Sequence, residues 1–184
     1  THNRVVKISK SVYLEVISID PNCCSHVKSK RWFNLDSLKL QSQLRKSPQV
    51  IGYVIENEDT KILKYYESFF RASRGEYKWK FAMPRNDSSI STDKFYQSGI
   101  IPSLINWESE KPINKMRDNH LNLEKIEVLL SESQSTYKNF INSLGAIEKL
   151  TFSIIKQGNY SSLETYPKLK INIEDKIRDT IIIL

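Results

Sequence analysis

Asp59 and the pair Glu76-x-Lys78 are residues whose types and spacing could do chemistry together in this chain. Two carboxylates can hold a divalent ion, and a lysine beside them can position or activate the attacking water. Glu76 and Lys78 are two apart, so a strand would present both on one face. Such a set would cut a phosphodiester. Cys23-Cys24-x-His26 superficially offers metal ligands, yet adjacent cysteines rarely chelate one zinc, and the other histidines, His2 and His120, form no second cluster. No metal site is predicted from it. Five glycines nearly preclude a phosphate-cradling loop, and no G-x-S-x-G elbow occurs. The sequence calls for no cofactor and points to no small-molecule substrate.

A second chemistry needs only cations placed to neutralise phosphates or acidic side chains. Lys28, Lys30 and Arg31 precede Trp32-Phe33 in a predicted loop, and Arg71, Arg74, Lys78 and Lys80 surround Tyr77, Trp79 and Phe81. Residues 1–92 hold 16 Lys plus Arg against 9 Asp plus Glu, whereas residues 93–184 hold 12 of each. All of the net +7 therefore sits in the first half. In EYKWKFAM the strand period puts Tyr77, Trp79, Phe81 and Met83 on one face and Glu76, Lys78, Lys80 and Ala82 on the other. The expectation is an aromatic core face and a lysine-bearing outer face.

The elements that must position these residues follow from period and punctuation. Residues 4–19 are rich in β-branched residues and read as one or two strands ending at Asp20-Pro21-Asn22. Asp36 is the expected N-cap of a short helix over 37–46, stopped by Pro48. VIGYVIE, 50–56, reads as a buried strand, and KILKYYESFF as strand or helix. Residues 84–119 carry Pro84, Pro102, Pro112 and Gly99 and read as an irregular connection. Ile126, Leu130, Tyr137, Phe140, Leu144, Ile147 and Ile154 then fall at spacings of three and four once Ser133 and Thr151 are counted, which predicts a long helix or helix pair over 122–157. Leu169, Ile171 and Ile173 alternate with polar residues as a late strand, and TIIIL closes the chain.

The resulting fold class is α+β: a mostly antiparallel sheet with one short helix, covered by a long C-terminal-half helix or helix pair. One domain over 1–184 is expected, with a basic strand-rich part at 1–83, a connection at 84–119, and a helical part with a terminal strand at 120–184. The order helix, strands, helix, strand, with Asp59 before one strand and Glu76-x-Lys78 opening the next, is similar to the core of the PD-(D/E)xK nucleases. That resemblance implies metal-dependent cleavage by Asp59, Glu76 and Lys78. The leading expectation is a non-enzymatic interaction domain, a subunit or fragment of an intracellular assembly, nuclear or cytoplasmic. Its basic half would bind nucleic acid or an acidic protein. Leu130, Tyr137 and Leu144 would face a protein partner or a second copy. Adjacent cysteines close no loop by a disulfide, which favours a reducing compartment, and no apolar run is long enough for a membrane span.

Overall fold

The computed structural model describes residues 1–22, 32–57, 65–85, 99–131, 147, 149–155 and 168–184. Within them the chain is built from strands. A hairpin comes first, β1 (His2–Lys7) against β2 (Tyr13–Ser18), in which every residue of one strand has a partner in the other. Helix α1 (Leu38–Leu44) follows, and its cap is Ser37 rather than the expected Asp36: the Leu40 amide donates to Ser37 Oγ at 3.3 Å. A Ser one residue closer to the first turn serves the same exposed amides.

Strands β3 (Val54–Glu56), β4 (Phe70–Arg74), β5 (Tyr77–Ala82) and β6 (Ser103–Trp107) form the first sheet in the order β3-β6-β5-β4. Strands β3 and β6 are parallel, and the other pairs are antiparallel. Strands β7 (Leu121–Ser131), β8 (Leu150–Ile155), β9 (Lys168–Asp175) and β10 (Thr180–Ile183) form the second, in the order β8-β7-β9-β10. Again the first pair is parallel and the others antiparallel. The two sheets thus share one pattern of strand directions without any repeat in the sequence.

The covering helix expected over 122–157 is overturned. Residues 121–131 and 150–155 are strands, and the fold is mostly β rather than a sheet under a long helix or helix pair. Leu130 lies in β7 with no exposed surface, while Tyr137, Phe140 and Leu144 lie outside the described residues. The connection read over 84–119 carries β6 and a 3-10 turn at Pro112–Lys115. TIIIL adds to a sheet edge as β10.

One apolar cluster joins the two sheets. Tyr53, Ala82 and Leu104 come from the first sheet and its approach, and Leu123, Val128, Leu130, Ile171 and Ile173 from the second. The hairpin is tied to the second sheet at the entry to β7, where the Leu123 amide donates to the Ile8 carbonyl, Asn119 Nδ2 donates to the Lys7 carbonyl at 2.8 Å, and Lys7 pairs with Asp118 at 2.7 Å. Burying Ile8 and Leu123 there removes both side chains from water and fixes the hairpin's position.

The parallel pair β7 and β8 is latched by side chains. Ser153 Oγ donates to Glu127 Oε1 at 2.7 Å, and Lys125 Nζ lies 3.3 Å from the same oxygen. The Ser153 hydroxyl chiefly, helped by Lys125, holds the Glu127 carboxyl below the usual carboxylate range against the opposing effect of partial burial. A carboxyl lowered on folding stabilises the native state above its unfolded pKa, and that contribution is lost as pH falls through the folded value. Ser153→Ala is therefore expected to raise the titration midpoint of Glu127, read by NMR of its side-chain carboxyl carbon. An unchanged midpoint would show that the hydroxyl is not what holds it.

Candidate small-molecule site

Register decides which side chains share a face of the first sheet. Phe70 pairs with Phe81, Ala72 with Trp79, Trp79 with Trp107, Phe81 with Ile105, and Ser103 with Val54. Directly paired residues point the same way, so Phe70, Tyr77, Trp79, Phe81, Ile105, Trp107 and Ser103 lie on one face. The 3-10 turn at Trp32–Asn34 covers part of it. Trp32 stacks on Phe81 with centroids 4.8 Å apart and planes at 9°, and Phe33 meets Phe81 edge-on at 6.2 Å. Trp79 and Trp107 are tilted against each other at 5.6 Å and remain half-buried, with Tyr77 edge-on to Trp107 at 6.4 Å.

A cavity of about 30 Å³ opens beside Phe33 and Asn34 at the Met83 end of this face, walled by Ile51, Gly52, Gly99, Pro84 and Ser103 among others. Its rear wall depends on two backbones in contact. Gly99 has φ +66°, and a Cβ there would lie 2.0 Å from the Ile51 carbonyl oxygen. Only glycine allows both the conformation and the approach. Phe33 and Asn34 also have φ near +57°, which turns the covering segment sharply over the sheet. The lining carries hydrogen-bonding groups on Asn34, Tyr53 and Ser103 and no carboxylate, ammonium or guanidinium. Such a volume admits one or two waters, or the end group of a small molecule, and an uncharged group enters it at lower desolvation cost than an ion.

The residues singled out for chemistry are placed elsewhere. Glu76 lies in the β4–β5 turn and pairs with Lys115 at 2.9 Å, while Asp59 lies outside the described residues. Among the described residues no three His, Cys, Asp or Glu side chains gather to hold a metal ion. Arg71 and Lys80 come together across the β4–β5 ladder, and both reach Glu108 Oε1, at 3.2 and 3.3 Å. Lys78 is on their face; Arg74, paired with Tyr77, is on the opposite one. Lys28, Lys30, Arg31 and the Cys23-Cys24-x-His26 group lie outside the described residues.

The aromatic face is core at Phe81, while Tyr77 and Trp79 are half-buried. Phe81 is buried, but beneath Trp32 and Phe33 rather than against the second sheet. Ala82, on the lysine-bearing face, and Leu104 beside it supply the contact with the main cluster. Trp32, Phe33, Gly99, Ser103 and Trp107 were not among the expected site residues. The signal for Gly99 was its occurrence as one of only five glycines, just before Ile100-Ile101-Pro102.

A family model described as a glyoxalase-like domain matches residues 1–142. No curated protein and no solved structure matches the chain. The matched span contains the hairpin, the whole first sheet with its cavity, and β7; β8 to β10 lie beyond it. This match overturns both functional expectations, the non-enzymatic nuclear assembly subunit with a nucleic-acid-binding half and the metal-dependent nuclease. Folds of this kind occur in enzymes and related binding proteins. Among the described residues no helix is long and apolar enough to cross a membrane.

Proposed function

The chain belongs to the glyoxalase-like domain family, and on that premise we propose that it binds a small, uncharged molecule on the aromatic face of its first sheet, with one end in the Gly52–Gly99 cavity. The observation that carries this reading is the conjunction, on one face, of a neutral cavity and two half-buried tryptophans. Recognition sites for small molecules are concave and mainly apolar, with a few polar groups that fix orientation. Asn34 and Ser103 supply those groups, and Trp79 and Trp107 supply flat apolar area along the same strands. Enzymatic turnover of the bound molecule is the second reading, favoured by the family membership alone.

All three tryptophans, Trp32, Trp79 and Trp107, lie on or over this face, so intrinsic fluorescence reports on it selectively. Titration with small neutral carbonyl and aromatic compounds is expected to give a saturable change for at least one class. Gly52→Ala should weaken it about tenfold or more while leaving the fold intact. Its new methyl would sit 3.5 Å from Phe33 Cδ1 and 3.7 Å from the Gly99 oxygen, ordinary contacts that narrow the cavity without displacing its wall. Saturable binding unaffected by Gly52→Ala, or no saturable change with any compound, would sink the proposal. Following the saturating compound by NMR for product formation decides between binding and turnover.

A further inference from the structure

Strand β10 ends the second sheet, and among the described residues no strand pairs with its far side. Leu184 and Ile171 exchange both backbone hydrogen bonds, at 3.0 Å each. In an antiparallel ladder such closely bonded pairs alternate with pairs whose backbone groups point away. The register then makes Ile182–Ile173 and Thr180–Asp175 bonded pairs, and turns the N–H and C=O of Ile181 and Ile183 outward. The side chains divide the same way. Ile182 and Leu184 continue the buried row of Ile171 and Ile173 past the sheet edge and stay 38% and 41% exposed. Ile181 and Ile183, beside Glu174 and Asn172 on the other face, are 59% and 64% exposed.

Edge strands ordinarily carry a lysine, a proline or a bulge that discourages further pairing. Residues 180–184 carry none of these and no charged side chain. We propose that β10 pairs with β10 of a second copy, antiparallel, about a two-fold axis at Ile182. The strand is its own complement in that register. Ile181 bonds reciprocally to Ile183 of the other copy, and Ile183 to Ile181, which engages every outward backbone group of the two isoleucines on both chains. Ile182 meets Ile182 on the core face, extending the apolar row of Ile171 and Ile173 across the axis. No charged side chains face each other, because the nearest, Asp179, falls outside the paired segment. An unrelated extended peptide would have to match the aliphatic pattern on both faces; a second copy does so by symmetry.

Sedimentation velocity of the 184-residue chain over a concentration series is expected to show a monomer–dimer equilibrium. Ile183→Pro removes an outward N–H without touching the ladder to β9, and proline is tolerated at such edge positions. That variant should sediment as a monomer at every concentration with an unchanged circular dichroism spectrum. In the wild-type dimer the Ile181 and Ile183 amides should exchange with deuterium more slowly as concentration rises, whereas the Ile182 and Leu184 amides should be protected at all concentrations. A monomer throughout the series, or a dimer that survives Ile183→Pro, would overturn the proposal. Neither result bears on ligand binding at the first sheet.

Discussion

Gly99→Ala is expected to destabilise the chain by about 3 kcal/mol or more, the sum of a left-handed backbone cost and an overpacking cost. The two contributions can be separated, because Gly75 has a similar φ, +58° against +66°, and differs in its surroundings. A Cβ on Gly75 meets nothing within 4 Å, so Gly75→Ala should cost only the backbone part, about 1–2 kcal/mol. At Gly99 the same Cβ would lie 2.0 Å from the Ile51 oxygen, 2.5 Å from its carbonyl carbon and 2.8 Å from Gly52 Cα. Those atoms are backbone and cannot rotate away. The approach to β3 must therefore move, and with it the wall formed by Ile51 and Gly52. Urea melts of the two variants read the difference, and ligand titration of folded Gly99→Ala should show the site lost. Equal losses at Gly75 and Gly99 would mean that the close approach is relieved at no cost.

The stretch RASRGEYKWKF shows how far local pattern reaches. Its alternation is real: Tyr77, Trp79 and Phe81 share a face, and Lys78 and Lys80 share the other. What period cannot supply is which face meets which layer. Both faces of β5 are covered at its C-terminal end, one by Trp32 and Phe33 and the other by the second sheet through Ala82. A covering segment more than forty residues upstream leaves no trace in the strand it covers. The same applies to Glu108, which gathers Arg71 and Lys80 only because β6 returns beside β5. The basic cluster was legible as composition, but the ion pairs of Arg71 and Lys80 with Glu108 depend on a contact between residues 37 apart for Arg71. The cavity was less legible still, since its wall is a contact between the approaches to the parallel strands β3 and β6, and parallel pairing is always remote in sequence.

Strand β7 explains the false helix, and it carries the other large expected effect. Its register with β9 shifts between Leu123 and Lys125, placing an extra residue, Glu124, in the strand. Such a bulge moves the inward-facing set by one position. Leu123 faces the core before it, opposite Ile173; Ile126 and Val128 do so after it, opposite Ile171 and Leu169, followed by Leu130. Leu129 is buried as well, which hides the remaining alternation. With Val128 set aside, Leu123, Ile126 and Leu130 fall at three and four, the spacing of a helical stripe. Val128 separates the two readings. On a helix with its apolar stripe at 126 and 130, residue 128 points away from the core and accepts a charge. In β7 it has no exposed surface. Val128→Asp should then place an unpaired carboxylate in the inter-sheet cluster at a cost of at least about 4 kcal/mol, a large part of the stability of an ordinary domain. Glu124→Ala, at the exposed bulge, should stay within about 0.5 kcal/mol. Circular dichroism and urea melts of both variants decide the matter, and a folded, stable Val128→Asp protein would remove residue 128 from the core.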